Sequence, residues 1–188
     1  AIAPVLKVMN DEYQIISGHI ETVHSYTNDQ NLLDNFHKKS RRGRSAALNL
    51  VITETGAGEA VGQVLPELKG KLTANAIRVP TPNVSLAIMK LHLRKKSDSF
   101  ELNNFLRQIA FHSSYKDQID FTNSSEVVSS DFVGNRYAGI IDSAATICHG
   151  NNSILYVWYD NEFGYTVQLL GLAKEMVGLT YKRYPKYQ

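Results

Sequence analysis

The sequence predicts an α+β domain in which helices cover a large mixed sheet. Strand-like segments outnumber helix-like ones along the 188 residues, and both short turns and helical crossovers connect them. Neither an internal repeat nor a linker divides the chain, so we expect a single domain. A composition of 43% hydrophobic and 20% charged residues is typical of a soluble globular protein with one sizeable core.

The first part of the chain predicts a helix, two strands and a long loop between the strands. Apolar residues at helical spacing predict the helix at about 3–12. Loose alternation predicts a strand over 15–23, and an apolar run predicts another over 46–52. The polar, basic segment 28–45 lies between them, and loops of that length are more often functional than ornamental.

The rest of the chain predicts more strands than helices. One helix is expected over 57–68, broken by Pro66. A second should follow the capping box formed by Asp98 and Glu101. The last is expected over about 165–177. The remaining predicted strands are 72–79, 84–93, 126–129, 137–146 and 153–159.

Composition excludes several classes of protein. Cys148 is the only cysteine, which excludes an internal disulfide framework and a cysteine-based zinc cluster, and we expect no metal site. A single thiol also predicts a reducing, cytoplasmic location. No apolar run approaches the roughly 20 residues that span a bilayer. The net charge of +2 is too mild to require nucleic acid or an acidic membrane.

His24 is the first candidate for a catalytic side chain. It ends an apolar strand and is followed by Tyr26, Thr27 and Asp29 at the start of the long polar loop. The pKa range of imidazole suits a general base or acid near neutral pH. The alternative is a histidine that is only hydrogen-bonded at a strand end. The residues alone show no nucleophile, because Cys148 falls in an apolar strand where an inert core thiol is expected.

Two further segments are candidate anion sites. Thr55 and Gly56 stand directly before a predicted helix, whose free N–H groups would bind an anion, unless the threonine is simply a cap. Arg78 lies in an otherwise apolar strand end, where an arginine needs either a protein carboxylate or a ligand phosphate as its partner.

Two polar segments have alternative interpretations. The run RRGR, with Arg41, Arg42 and Arg44, is a nucleic-acid patch, a phosphate clamp or a solvated loop. In WYDNEFGY, either Asp160 or Asn161 is expected to cap the following helix. The amide of Asn161 is equally suited to bind another amide, such as a ligand carboxamide.

Four segments together resemble phosphorylating glyceraldehyde-3-phosphate dehydrogenase. They are HSYTNDQNLLDNFHKKSRRGRSAALN, TGAGEAVGQVLPELKGKLTANAIRVPTPNVS, SSDFVGN and WYDNEFGY. They occur in the order of that family and cover nearly the whole chain. The resemblance is to the C-terminal catalytic domain, and it implies a mostly antiparallel mixed sheet with helices packed on one face. The NAD(P)-binding domain is expected outside residues 1–188.

The resemblance also implies the partner that His24 needs. In this family the nucleophilic cysteine lies in a Cys-Thr-Thr-Asn run directly before the helix with which this chain starts. That cysteine attacks the aldehyde of glyceraldehyde 3-phosphate, hydride passes to NAD or NADP, and inorganic phosphate converts the thioester into an acyl phosphate. His24 would activate the cysteine. The chain by itself is therefore expected to be inactive.

Further roles follow from the resemblance. The expected contacts to the substrate phosphate are Thr27, Asp29 and Arg78. Those to the attacking phosphate are Thr55, Gly56 and Arg42. Those to the nicotinamide of the cofactor are Asn161 and Tyr165. Segment 28–45 resembles the S-shaped loop that lines the cofactor pocket of a neighbouring subunit, which implies self-association as a homotetramer.

Some features keep alternatives open. Glu54 stands where the family usually has a small residue, and its charge would weaken phosphate binding unless it points away. An erythrose-4-phosphate dehydrogenase domain is the enzymatic alternative. A non-catalytic module for oligomerisation, anions or RNA, acting through RRGR and YKRYPK, is the other alternative. The choice between NAD and NADP depends mainly on the expected N-terminal domain.

Overall fold

The structure is a computed structural model that describes residues 1–179. The helices are α1 (Ala3–Tyr13), α2 (Ala57–Val64), α3 (Ser99–His112) and α4 (Phe163–Met176). The strands are β1 (Ile15–Ser25), β2 (Val51–Glu54), β3 (Leu72–Val79), β4 (Ser85–Asp98), β5 (Ile119–Thr122), β6 (Gly139–Asp142) and β7 (Ile147–Tyr159). None of the helices within this part of the chain is long and apolar enough to cross a membrane.

The seven strands form one mixed sheet in the order β2-β3-β1-β4-β7-β6-β5. Two of the six neighbouring pairs are parallel, β1 with β3 and β5 with β6. The other four are antiparallel. The parallel pairing of β1 with β3 places the carboxyl ends of both strands side by side, so the residues that end them meet at one edge.

The core lies between one face of the sheet and α1, α2 and α3. Alternate residues along β4, from Ala87 to Leu93, point into it, as the period of two in a strand requires. From the helices, Leu6, Met9 and Leu106 are completely buried against them. The expectation of an α+β fold with helices packed on one face of a mostly antiparallel sheet is confirmed.

The opposite face of the sheet is not covered by a helix of the core. Its centre carries half-buried apolar side chains, including Ile77, Ile88 and Tyr156. Glu21 and Asn75 are register partners on the same face. One side-chain oxygen of each is buried without a hydrogen-bond partner among the described residues, which is costly unless another group supplies a donor.

Most predicted elements are confirmed. The first helix, the strand at 72–79 and the Asp98 cap are found as expected; the Asp98 carboxylate accepts from Glu101 N at 2.9 Å. β4 extends beyond the predicted strand to Asp98, and β6 is shorter than predicted. The basic tail YKRYPKYQ lies outside the described residues.

One predicted strand is found only in part, and another is wrong. Residues 46–50 form no strand, because Leu48 N and Asn49 Nδ2 both donate to the carbonyl of Ser45 and close a turn; only Val51–Glu54 pairs. Residues 126–129 form no strand either. Asp131 accepts from Val128 N at 2.8 Å and begins a 3-10 turn, while the strand of this region is β5, which the sequence analysis missed.

The long loop 28–45 closes on itself rather than crossing the sheet. Asn35 N donates to Gly43 O at 2.9 Å, and Ser45 N donates to Asp34 Oδ1 at 2.8 Å. A Cβ at Gly43 would lie 2.4 Å from Asn35 O, so only glycine permits this approach. The loop nevertheless leaves three large apolar side chains exposed: Leu32, Leu33 and Phe36.

Candidate active site

The candidate site begins where β1 and β3 end side by side. His24 is the register partner of Arg78, and Arg78 Nη1 lies 2.7 Å from His24 Nδ1 and donates to the Ser25 carbonyl at 3.1 Å. His24 Nδ1 also lies 2.7 Å from the same carbonyl. The sequence placed these residues 54 positions apart, and the parallel pairing brings them into contact.

The surroundings of His24 favour its neutral form. Burial lowers the pKa of the imidazole below its usual value, and the positive charges of Arg78 and Arg42 lower it further. The Ser25 carbonyl and the Asp29 carboxylate act in the opposite direction without cancelling the shift. A neutral ring retains a lone pair, so His24 is able to accept a proton near neutral pH.

Arg78 has more donors than the protein satisfies. Its Nε is buried and has no hydrogen-bond partner, and no described carboxylate forms an ion pair with it. Burial lowers the pKa of its guanidinium, and so does the charge of Arg42, although Asp29 opposes this. A buried cation without a paired anion is unfavourable, so an anionic ligand at this position would be stabilised.

Arg42, Asp29 and Thr27 form a second polar group beside Arg78. Arg42 forms an ion pair with Asp29 and donates to Thr53 Oγ1 on β2 at 3.0 Å. Thr27 donates from its hydroxyl to Asp29. This hydrogen bond lowers the pKa of Asp29, as do Arg42 and Arg78. One carboxylate therefore faces two arginines.

Thr55 and Gly56 lie apart from the His24 group, at the N-terminus of α2. Gly56 is the cap residue, and Thr55 Oγ1 accepts from Ala57 N at 3.3 Å. Both line a cleft of about 550 Å³. Glu54 lines the same cleft. It follows Thr53, which binds Arg42, and successive side chains of a strand point to opposite faces. Its carboxylate lies 3.8 Å from Lys39 Nζ and is 92% exposed, so it points away from Arg42.

A cavity of about 410 Å³ joins His24 to the end of β7 and the start of α4. Ala1 and Pro4, at the N-terminus of α1, line it together with His24, Asn161 and Tyr165. The structure therefore brings the candidate base and both candidate cofactor-binding residues to one cavity, and places the start of α1 in its wall.

Asp160 organises the corner where β7 meets α4. It is 2% exposed, and its Oδ1 accepts from Glu162 N and Phe163 N at 2.9 and 2.8 Å. It thereby holds the turn that leads into α4, whose N-cap residue is Glu162. Its Oδ2 accepts from Asn83 Nδ2 and Gly134 N at 3.0 and 2.8 Å. Burial raises the pKa of the carboxyl, but the four donors outweigh it and lower the pKa overall.

Two buried serines that the sequence analysis missed complete the site. Ser25 Oγ and Ser85 Oγ donate to Asn161 Oδ1 at 3.0 and 3.1 Å. Ser25 directly follows His24, and Ser85 begins β4, which pairs with β1. Ser85 lies in the predicted strand 84–93, whereas Ser25 lies two residues beyond the predicted strand 15–23, and the strand pairing that brings both to Asn161 was not predicted.

Cys148 takes no part in this site. It is 7% exposed within the core, where burial raises the pKa of its thiol. Its backbone N donates a hydrogen bond to Ser99 Oγ at 2.8 Å, which ties β7 to the start of α3. The described residues contain no cluster of three potential metal-ligating side chains.

Comparison with known proteins identifies relatives of this chain. Residues 1–161 match the family model described as glyceraldehyde 3-phosphate dehydrogenase, C-terminal domain. The chain is 61% identical over 186 residues to the glyceraldehyde-3-phosphate dehydrogenase-like protein of Pseudomonas aeruginosa strain UCBPP-PA14, covering 99% of this chain and 40% of that protein. It is 44% identical over 174 residues to glyceraldehyde-3-phosphate dehydrogenase 2 of Trichormus variabilis, covering 92% of this chain and 51% of that protein.

A third relative has the same coverage. Glyceraldehyde-3-phosphate dehydrogenase 1 of Bacillus subtilis strain 168 is 44% identical over 173 residues, which cover 92% of this chain and 51% of the relative. The chain thus spans about half, or less, of the length of the curated relatives it matches.

The titration of His24 tests the electrostatics of the site. We expect its midpoint, measured by NMR of the ring protons, to lie below 6.5. Arg78→Gln should raise the midpoint, because it removes the positive charge nearest to the ring. Arg107→Gln, which removes an exposed charge on α3, is the control and should leave it unchanged. A wild-type midpoint at or above 6.5, or no response to Arg78→Gln, would contradict this description.

Asp160 should make stability depend on pH in the acid range. Its folded pKa is lowered, so its ionised form stabilises the fold above the unfolded value of about 3.9, and that contribution is lost as pH falls through the folded pKa. Asp160→Asn should lower the free energy of unfolding by about 1.5–3 kcal/mol at pH 7 in urea denaturation, the range for hydrogen bonds to a charged group. The difference from wild type should narrow towards pH 2. Asp131→Asn, an exposed cap, is the control; a cost for Asp160→Asn that does not depend on pH would refute the assignment.

Proposed function

The chain belongs to the glyceraldehyde 3-phosphate dehydrogenase family, as its C-terminal domain, and from this we propose that residues 1–188 are the catalytic domain of an enzyme that oxidises glyceraldehyde 3-phosphate. The proposed reaction uses NAD or NADP and inorganic phosphate and yields 1,3-bisphosphoglycerate. The observation that carries the proposal is the position of His24, whose Nδ1 lies 2.7 Å from an arginine with a buried Nε that has no hydrogen-bond partner among the described residues.

The charge balance beside His24 supports a phosphate ligand. Asp29 is the one carboxylate beside Arg78 and Arg42 among the described residues, and it forms an ion pair with Arg42 only. Arg78 forms no ion pair among these residues. A substrate phosphate placed here would receive donors from Arg78 and the Thr27 hydroxyl. The second phosphate is assigned to Thr55 and Gly56, because the N–H groups at the start of α2 favour an anion. Glu54, paired with Lys39, leaves that position accessible.

The proposed nucleophile is a cysteine that precedes residue 1. Cys148 is buried in the core and lies outside the cavity. Ala1 and Pro4 line the cavity that contains His24, so a thiol just before α1 would reach the imidazole. His24 would take the proton from that thiol, and the helix start would stabilise the thiolate. The curated relatives are about twice the length of this chain, which leaves room for the NAD(P)-binding domain.

The residues at the cavity fit a nicotinamide group. No described residue accepts a hydrogen bond from Asn161 Nδ2, which leaves its N–H groups available for the carbonyl of a carboxamide. Tyr165 is 69% exposed beside it and offers a flat surface. The bound cofactor supplies the acceptor for hydride. Asn161 and Tyr165 would bind its carboxamide, and Arg78 and Thr27 would hold the substrate phosphate beside His24.

Self-association belongs to the same proposal. The uncovered face of the sheet carries apolar side chains and the two buried oxygens, on Glu21 and Asn75, that lack donors. The loop 28–45 adds Phe36, which is 87% exposed. A second copy that covers these surfaces would bury apolar area and supply donors. We propose a homotetramer in the cytoplasm, where Cys148 and the proposed nucleophilic thiol remain reduced.

The structure supports the RNA-binding alternative less well. Arg42 and Arg44 are both paired with carboxylates, Asp29 and Asp34, within the loop. Of the three arginines in RRGR, only Arg41 lacks such a partner among the described residues. The positive charges of Arg42 and Arg44 are therefore partly neutralised within the protein, which weakens their attraction for the phosphates of RNA.

An activity assay tests the proposed reaction. The whole polypeptide that carries these residues should form NADH or NADPH from glyceraldehyde 3-phosphate and phosphate, followed by absorbance. His24→Asn should lower the rate by about 10²–10⁴-fold, the usual contribution of a general base. A polypeptide limited to residues 1–188 should be inactive, because it has neither the thiol nor the cofactor domain.

The same assay separates the alternatives. Faster turnover of erythrose 4-phosphate than of the triose would replace the proposed substrate. Activity of the 188-residue polypeptide alone would refute the assignment of the nucleophile. A whole polypeptide that turns over neither aldehyde, with either cofactor, would favour the non-catalytic alternative.

The oligomeric state tests the proposed interface. The whole polypeptide should have the mass of four chains in light scattering. Phe36→Ser should shift it towards smaller species by removing exposed apolar area from the loop. Phe100→Ser, on α3 and 77% exposed, is the matched control and should leave the mass unchanged. Equal behaviour of the two variants would exclude the loop from the interface.

A further inference from the structure

We infer that Ser25 and Ser85 are positioning residues that hold the Asn161 amide in one orientation, with its oxygen turned into the sheet and its N–H groups turned towards the cavity. The inference concerns the direction in which this side chain presents its donors. It rests on the proposed function only in naming a pyridine carboxamide as the ligand whose carbonyl those donors would bind.

The hydrogen-bond pattern favours this orientation. Asn161 Oδ1 receives two hydroxyl donors, from Ser25 at 3.0 Å and Ser85 at 3.1 Å. A carbonyl oxygen has two lone pairs, so both are used. Ser85 Oγ already accepts from Ser25 N at 3.2 Å, and its single hydrogen is therefore free for Asn161. Every polar atom on the inner side of the amide has a partner in this arrangement.

The reversed orientation would leave buried donors unsatisfied. Ser25 and Ser85 are 0% and 2% exposed, so neither hydroxyl is able to turn to water. With Nδ2 inward, the two serine oxygens would accept from the amide, and the hydroxyl hydrogens of Ser25 and Ser85 would lose Asn161 Oδ1 as their acceptor in a buried site. Unsatisfied buried donors are costly, and the two serines thus select one of the two amide orientations.

The backbone on both sides of this contact is fixed by Asp160 and Asn83. Asp160 holds the turn that carries Asn161 and accepts from Asn83 Nδ2. Asn83 Oδ1 accepts from Val84 N at 2.8 Å. Val84 has a φ of 65°, which is strained for a β-branched residue. Such conformations persist where surrounding contacts enforce them, and here the residue that follows is Ser85.

Ser25 links this amide to the candidate base. Its hydroxyl binds Asn161, while its carbonyl lies against His24 Nδ1 and Arg78 Nη1. One buried residue thereby sets the position of the imidazole and the direction of the amide. Ser25 would therefore fix the position, relative to His24, of a ligand whose carbonyl binds Asn161.

The orientation can be measured in the 188-residue chain without any ligand. We expect nuclear Overhauser contacts from the Asn161 Nδ2 hydrogens to side chains of the cavity, such as Tyr165. We also expect ¹⁵N relaxation to show that the side-chain amide has restricted motion on the picosecond–nanosecond scale. Contacts from these hydrogens to the β-hydrogens of Ser25 and Ser85 instead would show the reversed amide and overturn the inference.

Variants test whether the serines are responsible. Ser25→Ala/Ser85→Ala should make the Asn161 amide mobile, with contacts to both sides. Ser153→Ala is the matched control: Ser153 is 1% exposed on β7, and its hydroxyl has no partner, so the amide should stay fixed. If the double variant does not fold, each single variant removes one of the two donors and should show partial mobility. An amide that remains fixed in the folded variants overturns the inference.

Titration with nicotinamide separates this inference from the proposed function. In the wild-type chain it should shift the Asn161 amide signals, and the double variant should bind it about two- to tenfold more weakly, the loss of one hydrogen bond. Asn161→Asp keeps an acceptor for both serines but removes the donors, and should abolish the shift that nicotinamide causes in the ring signals of Tyr165, which lines the same cavity. A fixed amide that does not respond to nicotinamide would refute the cofactor assignment and leave the positioning role intact.

Discussion

The parallel pairing of β1 with β3 is the constraint on which the candidate site depends. It puts the half-buried His24 and Arg78 in register at the ends of their strands, with Nδ1 and Nη1 2.7 Å apart. Because strands in this pairing cannot slip by one residue without turning their side chains to the other face, the contact is as well specified as the core. Ile20 and Ala76, which precede the site on the same face, are both buried.

A second layer of polar contacts keeps the surrounding loops in place. Asp160 draws together the turn before β4, the loop at Gly134 and the start of α4. Gly164 permits the last of these, because a Cβ there would lie 2.8 Å from Tyr137 O. The strands set the positions of the charged residues, whereas a single buried carboxylate sets the corner that carries Asn161. Loss of that corner would disturb the cavity without unfolding the sheet.

The sequence predicted most helices and strands because their periodicity is strong, and it failed where side chains compete for the backbone. At residues 126–129 the Asp131 carboxylate takes the N–H that a strand would have used. His24, Arg78 and Asn161 were recognisable as candidates from their types and places. Ser25 and Ser85 were not, since a serine at a strand end has no distinctive pattern until the strand pairing is known. The direction of Glu54 likewise required the structure.

The charge balance of the site links ligand binding to the basicity of His24. Burial lowers the pKa of the imidazole, and Arg78 and Arg42 lower it further against the opposing charge of Asp29. Arg78 also retains a buried Nε without a partner among the described residues. An anion bound to these arginines would supply the missing partner and offset the positive potential at the ring. The same event would raise the pKa of His24 and stabilise the fold, because a ligand that binds only the native state adds to its stability. The site without an anion therefore holds a weaker base, and binding of an anion such as the proposed substrate phosphate would strengthen that base.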